Sequence, residues 1–236
     1  MTNKKIPEIE TQSTQYQQMI PGILDLSEES FPGITGLVGW IKVRDDSQGC
    51  LSSTRLAKKG RQFKYMIDLP ASDKTSMTAA YMHEISHVAL GAYLFATTGK
   101  MPVNTNNIAY AYIDTLGIGI EDLNFIIKEL VNTQCFMDND MTFYGDAIAC
   151  AVQYVTEYDM GLLPDMDKKT LETAQMVKTA IEKGYREHVT PEIIGKMERK
   201  MKDTIGVMIG NLFIDYQHKM LTPFLYDMSI FKKRWY

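Results

Sequence analysis

Much of what this 236-residue chain could be is excluded by what it lacks. Its three cysteines, Cys50, Cys135 and Cys150, are odd in number and far apart, which excludes a disulfide framework and a CxxC metal knuckle. No uninterrupted apolar run is longer than the nine residues from Val88 to Ala96, whereas roughly 20 are needed to cross a bilayer. The lysines near the N-terminus precede no apolar stretch and no small-residue cleavage site, so the segment does not read as a secretory leader. There is no excess of positive charge either. Lys and Arg number 25 against 29 Asp and Glu, a formal charge of -4, and this gives no electrostatic footprint for a phosphate backbone. These absences point to a soluble protein of a reducing cytoplasm, with neither nucleic acid nor membrane as a partner. Nothing in the sequence bears on oligomeric state.

What is present is ordinary for a globular domain: 45% hydrophobic and 23% charged residues, enough for one substantial core. Residues 1–20 are Gln-, Thr- and Ser-rich and read as a flexible polar tail. Residues 21–236 read as a single domain, with a sheet region to residue 72 and a helical region after it. ITGLVGWIKV and QFKYMIDL are rich in β-branched and aromatic residues, and DDSQG and AKKGR separate them, which predicts a small antiparallel sheet of two or three strands. After Pro70 the pattern is helical. Ser72, Asp73 or Ser76 can cap a helix that runs to about Thr98, and further helices are expected near 107–116, 119–133, 141–159, 167–183 and 190–219. The fold class is therefore α+β and mostly helical, a small N-terminal sheet followed by a helical bundle.

Within the first of those helices stands His83-Glu84-Ile85-Ser86-His87, an HExxH sequence. Helical geometry stacks residues four apart on one face, so both imidazoles can reach one ion. Glu84 projects about 100° around the axis, which suits a carboxylate that meets a reacting water without ligating the ion. Between Thr75 and Gly99 it is the only formally charged residue, in a helix apolar nearly all round. Such a helix belongs in an interior, where an unpaired carboxylate costs several kcal/mol. The bland alternative makes His83 and His87 core histidines and pairs Glu84 with a distant cation.

A catalytic zinc takes three protein ligands and keeps one position open, so another donor must come from further along the chain. GAYLFATTGK, just after His87, contains none. Glu121 and Asp122 open the helix IEDLNFIIKELV on opposite edges of its apolar stripe, and Asp146 is the only charge in the apolar stretch MTFYGDAIACAVQYVT. Periodicity does not choose among these three.

HEISH followed 34 residues later by IEDLN resembles the gluzincin class of zinc metallopeptidases, in particular small phage and bacterial proteins with a Glu-Asp pair on the next long helix. The resemblance covers about residues 62–131. It implies a zincin-like fold, with Zn2+ held by His83, His87 and Glu121, and Asp122 as acceptor for a ligating imidazole N–H. It also implies a host cytoplasm as the location if the chain is phage-encoded. The strand QFKYMIDL before the helix fits the zincin arrangement, in which an edge strand offers its backbone to an extended peptide.

The function expected is hydrolysis of peptide bonds in a protein or peptide substrate, with Glu84 as the general base that takes a proton from the attacking water and returns it to the leaving amine. Tyr144, Tyr158 and His188 are candidates for stabilising the developing oxyanion, and nothing ranks them. The other readings are a noncatalytic structural or interaction protein that uses zinc as a folding staple, and a zinc hydrolase of a non-peptide amide. The 16 methionines are gap-filling core residues. The long amphipathic segment from Glu192 with His218, and the C-terminal FKKRWY, carry no site of their own.

Overall fold

Residues 6–44, 52–102, 108–130, 144–163, 165 and 167–203 are described by a computed structural model. Cys50, Cys135, His218 and the C-terminal FKKRWY lie outside the described residues. The chain is α+β and mostly helical. Its strands are β1 (Glu8–Glu10), β2 (Val38–Arg44), β3 (Ser53–Lys59) and β4 (Gln62–Pro70). Its α-helices are α1 (Thr14–Ser30), α2 (Lys74–Thr98), α3 (Ile120–Glu129), α4 (Tyr144–Asp159) and α5 (Lys168–His188), with residues 191–203 forming a last helical stretch, α6. The segment near 107–116 holds only two short 3-10 turns, Tyr110–Tyr112 and Asp114–Leu116.

The sheet has four strands in the order β1-β2-β4-β3 and is mixed, not antiparallel. β1 pairs with β2 in parallel, because α1 is a crossover that carries the chain back to the end of the sheet where β1 began. β4 also pairs with β2 in parallel and with β3 antiparallel, after a tight turn in which Gly60 takes φ 61°. β4 is thus an interior strand, and the free edge on that side of the sheet is β3. This overturns the reading of QFKYMIDL as the edge. STRLAKK is polar and lysine-rich because an edge strand leaves one row of its backbone to solvent, and lysine there blunts pairing with other chains.

The segment read as a polar tail is also structured from residue 6 onward. β1 adds three residues to the sheet, and Lys59 reaches Glu8 and Glu10 at 2.7 and 2.8 Å. The Gln-rich first turns of α1 face solvent, while Ile20, Ile23 and Leu24 bury the later face.

α2 runs through the middle of the molecule, against the sheet on one side and α1, α4 and α5 on the others. Its start is fixed by Asp73, whose carboxylate accepts from the backbone N–H groups of Thr75 at 2.9 Å and Ser76 at 3.1 Å. Its end is Gly99, at φ 69°, a left-handed cap that a side chain would strain. Seventeen of its 25 residues are buried, which is why its apolar residues show no single stripe. Among the described residues no helix is long and apolar enough to cross a membrane.

Candidate metal centre

The side chains that converge come from α2 and α4. His83 and His87 lie one turn apart on α2 with Nε2 facing Nε2 at 3.3 Å. Across the interface, Asp146 on the first turn of α4 brings Oδ1 to 3.2 Å from His87 Nε2. One ligand atom from each of the three residues lies within 4.8 Å of the other two. A tetrahedral zinc with bonds of about 2.0–2.1 Å holds its donors about 3.3 Å apart, so two of these separations already match such an ion.

The local chemistry fits a cation. Asp146 is 6% exposed and its Oδ2 is buried with no hydrogen-bond partner. His83 Nδ1 is likewise buried and without one. Native interiors seldom leave a buried carboxylate oxygen unsatisfied, and an ion drawn to the Asp146 carboxylate would relieve that burial. The His83 imidazole is held below its ordinary pKa, first by burial and then by the neighbouring His87, against the opposing charges of Glu84 and Asp146 and a contact with Gln153. The neutral ring that results is the form that ligates metal.

Glu84 is 3% exposed, among the most buried carboxylates of the described chain. Its backbone carbonyl accepts from Thr54 Oγ1 at 3.3 Å, and this ties edge strand β3 to the helix at the HExxH position. Cys150, one turn beyond Asp146 on α4, is free, and burial pushes its thiol up to about 12, with the charges of Asp146, Glu157 and Glu84 adding to the shift. That shift favours the protonated thiol over the thiolate.

Glu121 is not brought to this centre. It stands exposed on the first turn of α3, and the donor that joins the two histidines is Asp146. Asp122 folds back over Gly119: a Cβ at that glycine would meet its Oδ2 at 2.8 Å. The Glu-Asp pair thus supplies the negative charge that a helix N-terminus favours. A lone charge in apolar α4 is the sequence signal for Asp146, whereas the family resemblance implies Glu121.

The oxyanion candidates separate as well. Tyr158 sits on the last turn of α4, exposed and about 18 Å along the axis from Asp146. His188 ends α5, where its Nδ1 lies 3.0 Å from the Gly184 carbonyl and its ring packs edge-on against Tyr93. Tyr144 is buried two residues before Asp146, with its ring 5.8 Å from that of Tyr110.

Set against known proteins, the chain matches no family model, no curated protein and no solved structure. A functional reading therefore rests on the residues themselves.

Proposed function

We propose that the chain is a zinc-dependent peptidase in which His83, His87 and Asp146 hold the ion and Glu84 is the general base. The observation that carries this reading is the convergence on His87 Nε2 of His83 Nε2 at 3.3 Å and Asp146 Oδ1 at 3.2 Å, one helical position from a buried carboxylate. Asp146 takes the place that the resemblance reserved for Glu121, so the donor set is two imidazoles and an aspartate. When bound, zinc supplies Lewis acidity and brings a water towards ionisation near neutral pH.

The residues of the chain supply the rest. Glu84 shares its helix with both histidines, and burial keeps it from pairing with solvent ions, so it can take a proton from the attacking water and deliver it to the leaving amine. The N–H and C=O groups on the outer edge of β3 are available to an extended peptide, and Thr54 places that edge against Glu84. This edge strand beside an HExxH helix supports a zincin-like fold. Tyr144 is the surviving oxyanion candidate by position alone.

One observation favours a second reading. His87, Asp146 and Glu84 are all nearly inaccessible to solvent, as expected of a closed structural centre that contributes folding energy and turns over nothing. Glu84 separates the two, since a purely structural ion has no use for a buried base beside its ligands. The test is metal content together with cleavage of an unfolded protein substrate by wild type, Glu84→Gln, His83→Ala and Asp146→Asn. The peptidase reading expects the Glu84 variant to keep zinc without turnover and the other two variants to lose both. Zinc in wild type without cleavage of a panel of unfolded proteins would favour the structural centre.

A further inference from the structure

The hairpin of β3 and β4 carries charge of one sign. Between Ser53 and Ile67 stand five cations, Arg55, Lys58, Lys59, Arg61 and Lys64, and no acid, in a chain whose formal charge is -4. Successive side chains of a strand point to opposite faces, so these cations divide between two. On the face turned away from α2, each has an anion. Arg55 meets Asp68 at 3.4 Å, Lys59 meets Glu8 and Glu10 at 2.7 and 2.8 Å, and Lys64 meets Glu198 at 2.8 Å.

The face towards α2 is different. Thr54, Leu56 and Lys58 share it, and Thr54 Oγ1 donates there to the Glu84 carbonyl at 3.3 Å. Lys58 is exposed and meets no carboxylate among the described residues. Its ammonium lies 5.5 Å from the centre of the Phe63 ring, which belongs to the residue directly opposite on β4. A cation over an aromatic ring is held in place without being neutralised. Arg61, in the turn, is also exposed and without a carboxylate among the described residues.

A strand laid along the free edge of β3 places alternate side chains on this face. The one opposite Lys58 stands four residues, about 14 Å, from the one opposite Thr54. Like charges directly across paired strands destabilise them, and opposite charges stabilise them. The lysines that blunt pairing with other chains therefore discriminate: a basic strand is repelled, and a strand with a carboxylate opposite Lys58 is attracted. The excess of positive charge on the hairpin also draws acidic segments in over about 8–10 Å at moderate salt.

We propose that the peptide taken up along β3 is acidic, and that Lys58 is a specificity-determining residue that pairs with an Asp or Glu side chain of that peptide, with Arg61 adding to the attraction at the turn. The proposal rests on the peptidase reading above and names its substrate class, extended segments with carboxylates at alternate positions.

The probes are two fluorescent peptides of about ten residues with the same alternating pattern, one carrying Glu and the other Gln at the same three alternate positions. Binding is read by fluorescence anisotropy on the full Glu84→Gln chain, so that turnover does not intervene, and cleavage by mass spectrometry on the chain with Glu84 intact. The Glu peptide is expected to bind about 5- to 10-fold more tightly at low salt, the preference shrinking at high salt, and to slow amide exchange across residues 53–59. Adding Lys58→Glu should bring the two peptides within about twofold of each other. Lys58→Arg should keep the preference, and so should Lys183→Glu, the same charge change at an exposed lysine of α5. If the Lys58→Glu chain does not fold, Lys58→Gln is expected to lose at least half of the preference. Equal affinity for both peptides, a preference untouched by Lys58→Glu, or binding that leaves exchange in β3 unchanged would overturn the proposal, and cleavage of unfolded proteins by the same preparation would show the peptidase reading intact. Preferential binding that depends on Lys58, with no cleavage of any substrate, would sustain the acidic docking edge and overturn the peptidase reading.

Discussion

The proposed exchange of Glu121 for Asp146 as third donor predicts a measurable change in zinc-induced thermal stabilisation. A ligand that binds only the folded state stabilises it by RT ln(1 + [L]/Kd), about 2.7 kcal/mol at a hundredfold excess over Kd. For a chain of 236 residues each kcal/mol moves Tm by about 2–4 °C, so saturating wild type with zinc should raise Tm by about 5–11 °C. Asp146→Asn keeps the side-chain shape but replaces an anionic donor with a neutral amide 3.2 Å from His87 Nε2. If affinity falls about a hundredfold, the same zinc concentration stabilises by only RT ln 2, about 0.4 kcal/mol, or about 1 °C. Glu121→Gln alters an exposed side chain on α3 and should keep the full wild-type increment. The assay is differential scanning fluorimetry with and without zinc, and comparing increments within each variant removes the mutation's own effect on the fold. An increment lost in Glu121→Gln and kept in Asp146→Asn would refute the assignment.

Three further outcomes are expected. Glu84→Gln should bind zinc like wild type and lose about 100- to 10,000-fold in turnover, read by single-turnover cleavage of a fluorogenic peptide; turnover within twofold of wild type would remove Glu84 as the base. In metal-free protein, His83 is held below its ordinary value of 6.5 mainly by burial, so its contribution to stability is present above about pH 6.5 and lost as pH falls towards the folded-state pKa. Urea midpoints from pH 7.5 down to 5 should therefore fall more steeply for wild type than for His83→Gln, and parallel curves would contradict the shift. Gly184→Ala should lower Tm, because a Cβ there would sit 2.5 Å from Leu116 Cδ2 and 3.2 Å from Tyr93 Cε2 where α5 crosses α2. Overpacking of about 1–3 kcal/mol outweighs the up to about 1 kcal/mol that alanine returns as helix propensity, and an unchanged melt would argue against that close approach.

The HExxH helix was legible because local signals agreed: a capping Asp73, a terminating Gly99 and a single buried charge between them. Asp146 was legible on the same ground, as a lone acid in an apolar helix, but one chain position cannot say which charge a distant helix will meet. The sheet was harder. Its two parallel pairings join strands far apart in sequence, and periodicity carries no information about partner or direction. β1 is three residues held by backbone pairing and by Lys59, with no apolar pattern to mark it. β3 reads as a basic linker because lysines suit an exposed edge.

The most direct test of the centre is the coordination of zinc in the loaded protein, read by X-ray absorption at the zinc edge with metal content measured on the same sample. One zinc per chain is expected in wild type, with two imidazole nitrogens at about 2.0–2.1 Å and carboxylate and water oxygens at about 2.0–2.2 Å, and Asp146→Asn should carry less than one equivalent at the same zinc concentration. Sulfur scattering at about 2.3 Å, full zinc loading in Asp146→Asn, or no zinc in wild type at one equivalent would contradict it.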